Sequence, residues 1–164
     1  MKYYAGIGSR RRTPNYIFNL MTATASKLET LCYTLRSGAA QGADKHFEAG
    51  VVDDRNKEIF RPKDATIEAI RMAAMHHPYW DHCDVYARKL HGRNSMIIMG
   101  KNLKTPVSFV ICFTPDGKHS GGTGLGMNIA ETYKIPIFNL YFTDVRKRFE
   151  KFVGKKESVI YDIF

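Results

Sequence analysis

Three short segments are rich in glycine and small polar residues, which are the residue types best suited to binding an anionic ligand. They are residues 6–10 (GIGSR), 37–44 (SGAAQGAD) and 121–124 (GGTG). Glycine lets a backbone approach a ligand closely, and free N–H groups at the start of a helix attract anions. The pattern therefore predicts that these segments bind a phosphate or another anion.

Polar side chains in and near these segments extend the candidate site. Ser9 and Arg10 could hold a phosphate, Arg93 could pair with one through two hydrogen bonds, and Asn94 could contact a base or sugar edge. The predicted ligand-binding residues are Gly8, Ser9, Arg10, Ser37, Gly38, Gln41, Asp44, Arg93, Asn94, Thr114, Asp116, Gly121, Gly122, Thr123 and Gly124. For Asp44, helix capping is as good an interpretation as ligand contact.

Several well-known catalytic and binding motifs are absent. Arg11 stands where a dinucleotide-binding GxGxxG would have its third glycine, no Gly-Lys-Ser/Thr follows the third segment, and there is no GxSxG. His76, His77, His82 and Cys83 are metal-ligand types, but Pro78 interrupts any helical spacing among them. We expect no metal site and no bound cofactor.

Strand-like and helix-like segments alternate along the chain, which predicts the elements that position these residues. The apolar runs 3–7, 32–36, 58–61, 107–113 and 135–140 are predicted strands. Predicted helices cover 14–31, a stretch ending near 50, 65–100 with a break at His77-Pro78, 124–133 and 143–153; Thr13-Pro14 is the expected start of the first.

This alternation predicts an α/β fold: a single Rossmann-like domain over residues 1–164, with a mainly parallel sheet and helices on both faces. Residues 3–140 form its core, followed by a basic helix and tail at 141–164. All three glycine-rich segments follow strands, and ligands of such sheets bind beyond the carboxyl ends of the strands. We therefore expect the three segments to meet at one site.

The basic tail leaves two interpretations open. Phe149 and Phe152 are interleaved with Arg146, Lys147 and Arg148, a pattern typical either of nucleic-acid contact or of a helix docked on the sheet. The final run, 159–164, is an edge strand or a docking segment.

Composition and charge limit which classes of partner the protein is expected to bind. The 164 residues carry 25 basic and 16 acidic side chains, a net charge of +9, which favours an anionic partner. No apolar run is long enough to cross a membrane, and three scattered cysteines favour a reducing compartment. We expect a cytoplasmic protein that binds a nucleotide-derived small molecule, with single-stranded DNA as a second anionic partner and no membrane contact.

An ordered set of motifs resembles the SLOG superfamily, which includes the Rossmann-like domain of DNA-processing protein A and the LOG phosphoribohydrolases. The motifs are AGIGSR, SGAAQGAD, HGRN, ICFTPDG and GGTGLGMNIAE followed by IPIFNL, covering residues 3 to 140. The likeness is greatest to small phage-encoded DprA-like nucleotide-binding proteins, for which the location would be the host cytoplasm.

The resemblance implies a pocket for a nucleotide, an ADP-ribose-like ligand or single-stranded DNA, and often a homo-oligomer. Aligned on the LOG pattern PGGxGTxxE, this chain has Ser120 for the proline, Leu125 for the threonine and Asn128 for the catalytic glutamate. Glu131, one helical turn further, is a candidate for a displaced carboxylate, although an exposed surface glutamate is the favoured interpretation; Asp44 and Asp116 are the other candidates for a catalytic carboxylate. Four functions stay open: a nucleotide-binding protein that sequesters or senses a signal, a nucleotide N-glycosidase, a DNA-binding recombination accessory, and a structural or interaction protein with a degenerate pocket.

Overall fold

A computed structural model describes all 164 residues as an α/β domain built on one five-stranded sheet. The strands are β1 (Lys2–Gly6), β2 (Tyr33–Ser37), β3 (Lys57–Ile59), β4 (Phe109–Cys112) and β5 (Ile137–Asn139). Their order across the sheet is β3-β2-β1-β4-β5, and every neighbouring pair is parallel. The predicted Rossmann-like fold with a parallel sheet is confirmed.

Six α-helices flank the sheet. They are α1 (Asn15–Thr30), α2 (Ala43–Ala49), α3 (Ile67–His76), α4 (Val85–Met99), α5 (Gly121–Thr132) and α6 (Thr143–Gly154). Single 3-10 turns lie in the connections at 54–56, 62–64 and 80–82, and a fourth, at 160–162, follows α6. Residues of α1, α2 and α6 pack into the core on one face, and residues of α3, α4 and α5 pack into the core on the other.

The central strands are apolar on both faces because both faces are covered. Tyr4 and Phe109 belong to the first core, whereas their chain neighbours Ala5 and Val110 belong to the second. Successive side chains of a strand point to opposite faces, so a strand buried on both sides must be apolar throughout. This explains why every residue of β4, Phe109–Cys112, is apolar.

The C-terminal residues dock on the sheet. Phe149 and Phe152 of α6 are fully buried in the first core together with Ile163. The guanidinium of Arg148 donates a hydrogen bond of 2.9 Å to the carbonyl of Ile163. The structure thus shows a docked helix, and the final run contains a 3-10 turn at Ile160–Asp162 and no edge strand; nucleic-acid contact by the basic residues stays a prediction.

Two local expectations at element boundaries were wrong. Helix α1 begins at Asn15 with Pro14 in the cap position, and Thr13 does not cap it; its hydroxyl donates instead to the carbonyl of Ser9 at 2.9 Å. Cys32 lies before β2 in an exposed turn with φ of 63°, not in the strand. No helix of the protein is both long and apolar enough to cross a membrane.

Candidate functional site

The loops after β1 and β4 border a cleft at the carboxyl edge of the sheet. Strands β2 and β3 lie on one side of β1 in the sheet, and β4 and β5 lie on the other side. At such a switch point the loops leave adjacent strands in opposite directions and open a crevice between them. The cleft has a volume of about 650 Å³, which is within the usual range for small-molecule sites.

Residues from all three glycine-rich segments line this cleft, together with α4. The predicted residues found in the lining are Gly8, Ser9, Arg10, Asp44, Arg93, Asn94, Asp116, Gly121, Gly122 and Thr123. Side chains separated by more than 100 positions in the sequence are thus brought to one place. Their role in binding a ligand stays a prediction.

The first turn of α5 presents free backbone donors to the cleft. Ser120 occupies the cap position but its side chain makes no capping hydrogen bond. The N–H groups of Gly122 and Thr123 donate to nothing within the protein, whereas Gly124 N–H bonds to the Ser120 carbonyl at 2.8 Å. Free N–H groups and the helix dipole together make the start of α5 suited to an anion.

Positive side chains predominate around the cleft. Four arginines line it, against two aspartates. Arg10, Arg11 and Arg12 are exposed on the loop after β1, and Arg12 adopts a φ of 59°, which is uncommon for a residue with a side chain. The excess of positive charge adds to the attraction of an anion toward the start of α5.

Arg93 is a buried guanidinium that joins two of the glycine-rich segments through its hydrogen bonds. Its Nη1 donates to the carbonyl of Gly38 at 2.5 Å, and its Nε donates to Oδ1 of Asn94 at 2.9 Å. The Asn94 amide in turn donates to the carbonyl of Gly122 at 3.3 Å. A Cβ on Gly38 would lie 2.4 Å from Arg93 Nη1, so only glycine fits beneath the guanidinium.

Asp44 is a buried carboxylate in the second residue of α2. Its Oδ2 accepts hydrogen bonds from the N–H groups of Gly38 at 3.0 Å and Ala40 at 3.3 Å, so it holds the loop after β2 and does not cap its own helix. Burial raises the pKa of Asp44 to about 6, although the positive charge of Arg93 and the two N–H donors oppose the rise. Burial also lowers the pKa of Arg93.

The remaining predicted residues lie behind the cleft or outside it. Ser37 and Gly38 are buried under the loop after β2, and Gln41 is exposed on it. Thr114 is buried because its hydroxyl accepts a bond of 2.8 Å from the Asn139 amide, which joins the ends of β4 and β5. Gly124 packs against the backbone of His119, which a Cβ would approach to 2.5 Å.

The LOG-type carboxylate has no counterpart in the cleft. Glu131 is exposed on α5 and does not line the cleft. Asn128 bonds to His119 Nδ1 at 2.6 Å and to the carbonyl of His76 at 3.1 Å. Asp44 and Asp116 are the two carboxylates in the lining.

Several lining residues were not among the predicted ones. Arg11, Arg12 and Ser120 line the cleft alongside the apolar residues Ile97 and Ile98 of α4. The run of three arginines at 10–12, directly after Ser9, was a signal that could have identified Arg11 and Arg12. The inner wall formed by α4 depends on how α4 packs, for which the sequence has no local pattern.

A separate cluster outside the cleft brings together three residues of metal-ligand types, and the expectation that the chain holds no metal stays a prediction. His77, Cys83 and His91 place one potential ligand atom each within 4.8 Å of the others. Neighbouring His76 is not part of it, since its Nδ1 bonds to the Met72 carbonyl at 2.8 Å. The prediction considered only the local spacing around Pro78, and the third member comes from α4.

Comparison with known proteins finds no matching family model, no matching curated protein and no matching solved structure. The resemblance to the SLOG superfamily stays a prediction.

Proposed function

We propose that the cleft binds a phosphorylated nucleotide or an ADP-ribose-like ligand, with its phosphate at the start of α5. The observation that carries the proposal is the pair of unpartnered N–H groups on Gly122 and Thr123, which open into a cleft lined by four arginines. Phosphate bound to backbone donors and guanidinium groups is a recurrent arrangement in proteins.

The rest of the cleft suits the nucleoside part of such a ligand. Ile97 and Ile98 supply an apolar wall, and Asn94 and Asp44 supply an amide and a carboxyl group. These groups can pack on a base or bond to ribose hydroxyls. In the cell, a protein of this kind would sequester or sense a nucleotide signal.

A thermal-shift and calorimetry panel tests the proposal. We expect ADP-ribose, a nucleoside diphosphate or a cyclic nucleotide to stabilise the protein. Arg10→Gln should lower the affinity for the tightest-binding ligand about tenfold, because one charge-assisted hydrogen bond is lost. Arg71→Gln, the same change at an exposed α3 position outside the cleft, is the matched control. Binding by no member of the panel, or equal binding by the Arg10→Gln variant, would contradict the proposal.

A second candidate function is hydrolysis of a nucleotide N-glycosidic bond, and the placement of Asp44 favours it. Its two backbone donors occupy Oδ2, so Oδ1 has no hydrogen-bond partner in the protein. A carboxyl group with a pKa of about 6 can exchange a proton near neutral pH. Release of free base from a nucleoside monophosphate, detected by chromatography and abolished in Asp44→Asn, would establish this activity; intact nucleotide after long incubation would exclude it for the substrates tried.

A single-stranded oligonucleotide added to the same ligand panel distinguishes DNA binding from nucleotide binding. The exposed Arg10, Arg11 and Arg12 lie where a longer strand would continue out of the cleft. An oligonucleotide that binds far more tightly than any mononucleotide, with an affinity that falls steeply with salt, would assign the cleft to DNA.

A further inference from the structure

The connection between α3 and α4 brings two imidazoles and a thiol together outside the cleft. His77 directly follows α3, Cys83 lies just after the 3-10 turn 80–82, and His91 is in the second turn of α4. The two imidazole rings are 4.4 Å apart between centroids, and Cys83 Sγ lies 3.8 Å from His77 Nε2. None of the three residues lines the cleft.

These separations are close to those of a metal site. Around tetrahedral Zn²⁺, with metal–nitrogen bonds of about 2.0 Å and metal–sulfur bonds of about 2.3 Å, ligand atoms lie roughly 3.3–3.6 Å apart. The three candidate atoms lie within 4.8 Å of one another, and the Cys83–His77 pair is already at 3.8 Å. Binding a metal ion requires these half-buried side chains to move closer together.

His77 and Cys83 have hydrogen-bond partners in the Tyr79 N–H and the Tyr79 carbonyl, whereas His91 does not. His91 Nδ1 is buried and has no hydrogen-bond partner in the protein. Trp80 packs beside both rings, 5.9 Å from His77 and 6.2 Å from His91 between centroids, and shields them on one side. A buried nitrogen without a partner is costly, and a metal ion would satisfy it.

We propose that His77, Cys83 and His91 bind one divalent transition-metal ion, with Zn²⁺ as the best match. Two imidazoles and one thiolate are donors of borderline softness, which favours zinc over magnesium or calcium. Three protein ligands leave the fourth tetrahedral position to water. The ion would join the α3–α4 connection to α4 itself.

Proton transfer on binding is simple. The thiol of Cys83 releases one proton to solvent and binds as thiolate. The Tyr79 N–H donates to His77 Nδ1 at 3.0 Å, so the neutral ring carries its proton on Nε2. Binding through Nε2 shifts that proton to Nδ1 by exchange with solvent, and the hydrogen bond from the Tyr79 N–H to Nδ1 is lost.

Metal titration of the reduced, chelator-stripped full chain tests the proposal. We expect one Zn²⁺ per chain with a dissociation constant of about 1 µM or tighter, and a rise in Tm of about 5–10 °C at a hundredfold excess over that constant. Co²⁺ should give intense tetrahedral bands together with a sulfur-to-metal charge-transfer band.

Matched variants separate this site from nonspecific binding. His77→Gln and Cys83→Ser should weaken Zn²⁺ at least tenfold, and Cys83→Ser should also remove the charge-transfer band. The control variants are His76→Gln, at a ring that bonds to a backbone carbonyl, and Cys32→Ser, at an exposed thiol. Both should leave the Zn²⁺ affinity and the charge-transfer band unchanged. Equal Zn²⁺ affinity in the Cys83→Ser variant would show an adventitious ion only, and absence of a one-to-one complex would overturn the proposal as well. The metal-free Tm of each variant reports whether it folds.

Discussion

The buried carboxyl group of Asp44 makes the stability of this protein depend on pH in a specific direction. Its pKa is about 6 in the folded protein, against 3.8 as the ordinary value. Because the folded pKa is raised, the folded state binds a proton more tightly than the unfolded chain does. Ionisation of Asp44 therefore lowers the free energy of unfolding. At pH 7 the loss is about 3 kcal/mol, because each unit of difference between the folded and unfolded pKa values corresponds to about 1.36 kcal/mol.

The cost disappears as the pH falls. Stability from this group is greatest below about pH 4, where both states are protonated, and it declines as the pH rises from about 4 to about 6. At pH 4 the remaining cost is roughly 0.5 kcal/mol. Asp44→Asn cannot ionise, so its stability relative to the parent should be greater at pH 7 than at pH 4 by about 2 kcal/mol.

Urea unfolding of both proteins at pH 4, 5, 6 and 7 measures this difference directly. The comparison of pH values cancels any constant effect of the new amide on the hydrogen bonds from Gly38 and Ala40. Asp116→Asn, the same change at the exposed carboxylate of the cleft, is the matched control for the loss of a carboxylate that is not buried. A constant difference between Asp44→Asn and the parent would refute the burial argument.

Three further outcomes are expected. Gly38→Ala places a methyl group against the guanidinium of Arg93 and should lower the free energy of unfolding by about 1–3 kcal/mol, whereas Gly154→Ala, in open space, should not; chemical denaturation compares them. Phe149→Ala should lower the free energy of unfolding by about 3–5 kcal/mol, measured by the same method, because the ring is fully buried. Phe142→Ala, at a half-exposed ring, should lower it much less. Similar losses in the two variants would contradict the docking of α6. Affinity for a phosphorylated ligand, measured by calorimetry, should fall as salt rises from 50 to 500 mM, and an affinity independent of salt would exclude the arginines as its binding groups.

Much of the fold could be predicted because it depends on local patterns. The continuous apolar run through β4 indicates burial on both faces, and the glycine-rich segments that follow β1, β2 and β4 must lie at one edge when the strands are parallel. The strand order around β1 then opens the cleft between them. Sequence reasoning therefore placed Gly8 and Gly122 in one region correctly.

Details that depend on tertiary packing could not be predicted. The bond from Arg93 to the Gly38 carbonyl joins residues 55 positions apart, and no local pattern announces it. Thr114 resembled a ligand contact until the structure showed its hydroxyl bonded to Asn139. His91 shows the same limit, because helix α4 must first pack against the preceding connection before the ring meets Cys83.

Amide NMR during a titration with ADP-ribose tests the central claim most directly. The account predicts that the backbone amide signals of Gly122 and Thr123 move together as the ligand saturates the protein, with the largest shifts at the start of α5. Saturation without any change at these two amides, with shifts elsewhere on the surface, would contradict it.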